Sequence, residues 1–438
     1  MHRESHGRLS RRHLLAASAL LACGCAQSQP RIDPARLRIA ADFEPAEAVW
    51  LGYDAGHREL SLALVRALHP HVRLRLLVRD AEDAREAEAL LREAGVAPGV
   101  AELHIDERAL YFTRDVAVFA VGARDELAVV DFRWTYYGLP GWCRLRHDDD
   151  PDEAVACAAG ANGARNLLDR RIAEIRGAEI VESALVAEGG GIEVNGQGLI
   201  IANEALLRQR NPGRSREELE AMQLQLPGVR KVIWLPEGLA EDPLHRATIV
   251  GPYVGWGTGG HTDEFVRFAD PRTVLLAWPD ETEVRAHPVA RLNRQRMQRN
   301  LAILRRATDA DGVPLRVVKV PMPRIIERRV FLAAAALPGW SHEWTADYFP
   351  SREGRREGDP VMQVAIASYL NFVVANGVVV LPDYLPHGTP RATQERVRRL
   401  FEDVFPDREI RFVDAISANW TGGGPHCATL NEPRTASA

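Results

Sequence analysis

The chain has 438 residues, with 55 Lys and Arg against 60 Asp and Glu, a formal net charge of −5 and 26% charged side chains. This near-neutral balance, with no basic block, excludes the electrostatic footprint of a nucleic-acid binder. No apolar stretch after residue 25 is long enough to span a membrane, and the length allows a large buried core.

The N-terminal segment reads as an address. Ser10-Arg11-Arg12 followed by an apolar run from Leu14 to Cys25 resembles a twin-arginine export signal. A run this short is a signal core and not a membrane span. Leu20-Leu21-Ala22-Cys23 resembles a lipobox, so the expected product is a lipoprotein beginning at Cys23. Cys25, or cleavage near Ala26 with no lipid, are the alternatives. Residues 1–25 are then the signal, 26–37 a polar tether and 38–438 one domain. The expected location is the periplasm or, through a lipid, the outer membrane.

Removing Cys23 and Cys25 leaves Cys143, Cys157 and Cys427. An oxidising compartment would permit a Cys143–Cys157 bridge, although a spacing of fourteen does not require one. Cys427 would then be the odd thiol. His and Cys occur nowhere at zinc-ligand spacing, so neither a metal nor another cofactor is expected.

Strand and helix patterns alternate from residue 73 onward. Residues 73–78, 127–132, 198–202, 229–235, 273–278, 315–320, 372–381 and 409–413 carry β-branched and apolar runs. Residues 80–94, 166–176, 217–226, 288–306 and 393–401 carry the 3.6-residue period. The alternation predicts an α/β fold. No fixed-period repeat is visible.

Five segments carry chemistry. Gly422-Gly423-Gly424-Pro425-His426-Cys427 presents a thiol after three glycines, which allow a tight backbone path close to a ligand. The plain alternative is a buried structural thiol. Gly259-Gly260-His261-Thr262-Asp263-Glu264-Phe265 offers the acid or base that a nucleophilic cysteine needs, brought to it by the fold. If that segment is extended, His261 and Asp263 share one face. Residues 265–268 alternate as a half-buried strand does. Phe112-Thr113-Arg114-Asp115 enters an apolar strand, and Glu188 precedes Gly189-Gly190-Gly191 and a further strand. For Arg114 and Asp115 the structural alternative is an ion pair. Asn371 lies in Ser368-Tyr369-Leu370-Asn371-Phe372.

Asp115, Glu188, His261, Asp263, Asn371 and Cys427, in this order and in these motifs, resemble the agmatine deiminase and Porphyromonas-type peptidylarginine deiminase family of guanidino-group-modifying enzymes. The resemblance runs from about Phe43 to Pro433. It implies an α/β pentein fold, five related ββαβ units in a pseudosymmetric propeller about a central site. Residues 38–438 are then a single catalytic deiminase domain, and 139–164 and 322–365 stand out as insertions.

The resemblance implies catalytic roles for Cys427, His261, Asp115 and Asp263. Two carboxylates can grip a planar guanidinium bidentately. The thiolate of Cys427 would attack the central carbon, His261 would protonate the departing ammonia and then activate water, and a ureido product would follow. Glu188 would orient His261. Asn371 would line the site or hold the backbone near Cys427. Within Asp131–Gly138, a segment that resembles the family's substrate lid, Trp134 would stack on the cation. Arg133 would read a carboxylate or serve as a surface ion pair with Asp131.

The substrate is a small guanidine, agmatine or arginine-like, or else arginine in a peptide. Phe112 replaces the Trp usual in agmatine-specific relatives, and Trp256-Gly257-Thr258-Gly259 lacks the acid they often carry before the His motif. Amidinotransfer would need a second, amine-bearing substrate. A non-catalytic guanidine-binding lipoprotein would not need Cys427. Nothing in the sequence fixes an oligomeric state.

Overall fold

Asp80 closes the N-terminus of the helix Ala81–Glu93 by accepting hydrogen bonds from the Glu82 and Asp83 amides, a cap worth ~1 kcal/mol. This local chemistry is repeated along the computed structural model, which describes residues 32–159, 167–333 and 343–436. The expected export signal and the first half of the expected tether, residues 26–31, lie outside the described residues. Among the described residues, no helix is long and apolar enough to cross a membrane.

The fold is mixed α/β. Among the described residues its strands form six sheets of three or four strands, and none closes into a barrel. Five of the sheets share one local order, in which an antiparallel pair is extended by a strand parallel to its second member. Val266–Phe268 pairs antiparallel with Thr273–Trp278, which pairs parallel with Arg316–Pro321. Val373–Ala375, Val378–Pro382 and Glu409–Val413 repeat it. So do Ile192–Val194, Leu199–Asn203 and Lys231–Leu235. Val118–Gly122, Leu127–Asp131 and Glu179–Glu182 form the fourth set. The fifth joins the two ends of the described chain: Thr429–Pro433 pairs antiparallel with Ala46–Gly52, and Arg73–Val78 lies parallel beyond it. A helix carries the chain to each parallel strand, as parallel pairing requires. Pro288–Leu304 and Arg391–Val404 are the longest of these helices.

The strands are buried because they are covered on both sides. Val378–Pro382 is inaccessible along its length, and its β-branched run suits a strand with two covered faces. Phe372 and Phe401 meet edge to face at 5.1 Å within the largest core cluster. Truncating a buried Phe of this kind costs about 3–5 kcal/mol.

Three local expectations change. Residues 372–381 are not one strand but a hairpin, turned at Asn376-Gly377, the dipeptide suited to a tight turn. Thr262–Glu264 and Thr113–Asp115 are single 3₁₀ turns, not extended chain. Val266–Phe268 is covered on both faces, not half-buried. Its Arg267 is tolerated there because Glu193 and Asp42 pair with it at 3.0 and 2.9 Å.

The two segments expected as insertions pack on one another. Helices Leu139–Arg146 and Pro151–Ala158 are joined by a Cys143–Cys157 disulfide. Trp142 shares a cluster with Trp344, Tyr348 and Phe349. The Arg146 guanidinium reaches the Asp347 carboxylate at 2.5 Å. The sixth sheet, Leu244–Val250, Tyr253–Thr258, Pro360–Val364 and Glu327–Phe331, contributes Val254 and Val361 to the same cluster.

Candidate active site

Every segment marked in the sequence precedes the first strand of one of the five repeated sheets. Asp115 comes before Val118–Gly122, Glu188 before Ile192–Val194, and His261 and Asp263 before Val266–Phe268. Asn371 comes before Val373–Ala375 and Cys427 before Thr429–Pro433. The topology thus brings together residues that are far apart in sequence. Hydrogen bonds to backbone carbonyls join the entries to one another: Arg114 N–H donates to Cys427 O at 3.1 Å, and Thr262 Oγ1 donates to Gly190 O at 2.9 Å.

Two glycines make the assembly possible. Gly260 sits at φ +105°, a conformation closed to most residues. It turns the chain so that Asp242 can accept the amides of Gly260 and His261 at 3.0 and 2.7 Å. Gly190 lies against the cluster itself. A Cβ there would sit 2.7 Å from His261 Nδ1, 2.8 Å from Asp115 Oδ1 and 3.1 Å from Asp263 Oδ2.

Around that point the polar groups converge. Cys427 Sγ lies 3.5 Å from Asp263 Oδ2 and 3.9 Å from Glu264 Oε1. Asn371 Nδ2 donates to Cys427 Sγ at 3.1 Å and to Glu264 Oε1 at 2.8 Å. Asn371 Oδ1 accepts the His426 amide at 2.9 Å. Asn371 thus touches the thiol and holds the backbone beside it. Asp115 accepts from the Gly190 amide and from Tyr137 Oη, both at 3.0 Å. His261 lies 3.6 Å from Asp115 and 3.7 Å from Glu188. These separations are beyond hydrogen-bond distance, and neither ring nitrogen has a hydrogen-bond partner. Glu188 is held from behind by Arg210 at 2.5 Å.

Burial opposes every charge in the cluster, and the neighbours decide the outcome. Burial lowers His261, but Asp115, Glu188 and Asp263 outweigh it and raise the imidazole to about 9. Burial raises Asp115 to about 6, against the pull of His261. Asp263 is drawn below its ordinary value despite burial, chiefly by His426 and then by His261 and Arg267. Burial and the neighbouring carboxyls push Glu264 far up, so it stays protonated. Burial, then Asp263, Glu264 and Asp115, push the Cys427 thiol well above its usual range. In the empty site the sulfur is therefore a thiol.

Beside the cluster opens a cavity of about 450 Å³, whose lining includes Phe112, Trp134, Tyr136, Tyr137, Trp256 and Gly422. Trp134 is buried against the Tyr136 and Tyr137 rings, at 5.0 and 5.2 Å. Arg133 is not brought to the cluster. Its side chain is exposed and donates to the Ala184 carbonyl, and its amide donates to Asp131 at 2.7 Å. The Asp131 side chain takes Arg170 instead, at 2.7 Å.

Glu264, which adjoins Asp263 in the same motif, also reaches the thiol, a contact that no residue pattern announces. His426 and Asp42 stand behind Asp263, His426 at 2.7 Å from it and Asp42 at 2.6 Å from His426. Among the described residues, one trio has the reach to hold a metal ion: Asp263, Glu264 and Cys427, with ligand atoms within 4.8 Å of one another. The same trio, with Asp115 opposite, is shaped for an organic cation.

A buried thiol facing paired carboxylates and a histidine suits chemistry on a planar cation such as a guanidinium. The profile of the Porphyromonas-type peptidyl-arginine deiminase family matches residues 38–433, and the chain belongs to that family. A relative in Streptomyces coelicolor is 30% identical over 413 residues, covering 91% of this chain and 99% of its own. The agmatine deiminase of Ectopseudomonas mendocina is 32% identical over 319 residues, 72% of each chain. The solved agmatine deiminase of Enterococcus faecalis superposes with a TM-score of 0.64 at 24% identity, covering 91% of this chain and 96% of that one. That of C. jejuni does so with a TM-score of 0.60 at 16% identity, with the same coverage. Both structures share its fold.

Proposed function

We propose that this enzyme hydrolyses a guanidinium C–N bond of agmatine or an arginine-like substrate, giving the ureido product and ammonia through a thiouronium on Cys427. The observation that carries the proposal is the placement of Cys427 Sγ 3.5 Å from Asp263, with Asp115 and His261 facing it across Gly190.

Each residue has a defined task. Asp115 and Asp263 bind the planar cation and fix its orientation. The cation offsets the carboxylates that hold the thiol protonated, so substrate binding itself favours the thiolate. The thiolate attacks the central carbon. His261, raised to about 9 and so protonated at neutral pH, donates to the leaving ammonia. The neutral imidazole then takes a proton from a water molecule as its oxygen bonds to the central carbon, and the tetrahedral adduct collapses with cleavage of the C–S bond, releasing the thiolate and the ureido product. Asn371 supports the sulfur by its N–H. Glu188, fixed by Arg210, holds His261 in place.

The relatives named agmatine deiminase support the small-guanidine reading. The cavity of about 450 Å³ favours a second one, peptidyl-arginine, because its aromatic walls leave room beyond a butylamine tail. Ammonia release from agmatine, arginine and peptides with internal or C-terminal arginine, with Cys427→Ala as control, tests both. Turnover by the Cys427→Ala protein at a rate within a few-fold of the parent would remove the covalent mechanism.

Two wider readings belong to the same proposal. The five sheets of common order support a five-fold pseudosymmetric pentein arrangement about the site. Ser10-Arg11-Arg12 and Leu20-Leu21-Ala22-Cys23 support twin-arginine export and lipid anchoring in the cell envelope. A Cys23→Ser protein that still sediments with membranes would exclude the anchor.

A further inference from the structure

His426 stands directly before the nucleophile, yet the reaction above does not use it. It is almost fully buried. Its Nδ1 lies 2.7 Å from Asp263 Oδ2 and its Nε2 lies 2.6 Å from Asp42 Oδ2. An imidazole between two carboxylates at such distances donates to both only as the imidazolium; burial, Arg114 and Arg267 oppose that form and draw the ring below its ordinary value, while Asp42 and Asp263 favour it. A bare ring nitrogen would otherwise face an oxygen lone pair.

Asp42 is itself anchored, by Arg114 at 2.9 Å and Arg267 at 2.9 Å. Arg114 and Arg267 come from the entry segments or first strands that also carry Asp115 and Asp263. Arg267 is fixed further by Glu193 and by the carbonyls of Leu370 and Phe372. The result is a rigid chain of charge from two arginines, through Asp42 and His426, to the carboxylate oxygen nearest the Cys427 sulfur.

We infer that His426 is a positioning residue: by donating from Nδ1 it keeps Asp263 ionised and aims Oδ2 at the space between Cys427 and the substrate, while Asp42 fixes the ring from the other side. The inference rests on the proposed function, because it assigns His426 a part in guanidinium binding. The groups facing Asp263 are Asp115, Glu264, Cys427, His261 and Arg267, besides His426. Asp115 and a Cys427 thiolate oppose a charge on Asp263. Besides the Cys427 thiol at 3.5 Å, His426 is the group in hydrogen-bond contact that supports it, at 2.7 Å. Arg114, Arg267, Asp42 and Asp263 face His426 in turn.

Two substitutions separate positioning from mere packing. In His426→Asn the amide nitrogen falls where Nδ1 stood and can still donate to Asp263. In His426→Gln the amide nitrogen falls where Nε2 stood, so Asp42 keeps its partner and Asp263 loses its own. Binding of guanidinium ion, and of agmatine, is measured by calorimetry at pH 6 and pH 8 in a Cys427→Ser background, with thermal unfolding as the check on folding.

The expected result is at least tenfold weaker binding for His426→Gln at pH 6 and a smaller loss at pH 8, where Asp263 ionises without help. His426→Asn should recover most of the affinity. Equal losses in the two variants, or a loss independent of pH, in proteins that unfold like the parent would overturn the inference. If the Cys427→Ser parent binds no guanidine, the proposed function fails instead. If both His426 variants unfold early, Asp42→Asn replaces them. It should weaken binding more at pH 6 than at pH 8, and a pH-independent effect would again refute the positioning role.

Discussion

Tyr137 Oη donates to Asp115 Oδ2 at 3.0 Å, on the carboxylate assigned to the guanidinium. The phenol reaches it from a distorted loop, with Arg133, Tyr136 and Tyr137 at φ +50°, +55° and +57°. Such backbone is costly for residues other than glycine, at about 1–3 kcal/mol each, and gathers at functional sites. Removing the donor should weaken the ionised form of Asp115. Tyr137→Phe is therefore expected to lower kcat/KM by roughly 0.5–1.5 kcal/mol, about two- to twelvefold. The acid limb of its pH profile, set by Asp115 near 6, should move upward. An unmoved acid limb would mean that the phenol leaves Asp115 when substrate enters.

Gly190→Ala tests the site from the opposite wall. The backbone at this position suits any residue, so the added methyl group is the whole change. That methyl would lie under 3 Å from His261 Nδ1 and Asp115 Oδ1, which real carbon contacts do not allow. The expected outcome is loss of activity by about a hundredfold or more, ~2.7 kcal/mol, with destabilisation of about 1–3 kcal/mol from overpacking. Near-normal kcat would show that the space beside Gly190 is not where the guanidinium lies.

These residues mark where the sequence could be read and where it could not. Asp115, Glu188, His261, Asp263, Asn371 and Cys427 stand in short motifs, and all six meet in the structure. The α/β alternation was equally plain, because buried parallel strands write themselves as apolar runs. The repeat was hidden because it is a repeat of pairing direction, which leaves no period in the residues. Asp42 was hidden for a different reason. It lies 384 positions from His426, in a short segment without a motif, and only the folded chain makes it a partner. Arg133 misled because Asp131 stood beside it. The turned backbone carries its guanidinium to Ala184 instead, and Arg170 takes the acid.

His261 sets the basic side of the activity. Its imidazole is raised to about 9, and its protonated form is the one that assists ammonia. Turnover should therefore hold through neutral pH and fall as pH rises through about 9. The same shift stabilises the fold. A histidine raised above its unfolded value contributes fully below about 6.5 and loses that contribution as pH rises through its folded value. Unfolding temperature should accordingly decline between about pH 6.5 and 9 in the parent, and more weakly in His261→Asn. A basic limb near 6.5 would mean that Asp115 and Glu188 do not hold the proton on His261.

Arg133 bears on the choice of substrate. If it read the carboxylate of a C-terminal arginine, Arg133→Ala would penalise such peptides by roughly 1.5–3 kcal/mol, about ten- to a hundredfold in kcat/KM, and would spare agmatine. The structure points the other way. Its side chain is exposed and bound to the Ala184 carbonyl, and exposed polar contacts contribute roughly 0–1 kcal/mol. The expected outcome is a change of less than about fivefold on agmatine, arginine and both kinds of peptide. A selective loss on C-terminal arginine would show that Arg133 swings from Ala184 to the substrate. An equal and severe loss on every substrate would place its importance in the loop. There the amide of Arg133, bound to Asp131, sets the turn that carries Trp134 and Tyr137 to the cavity.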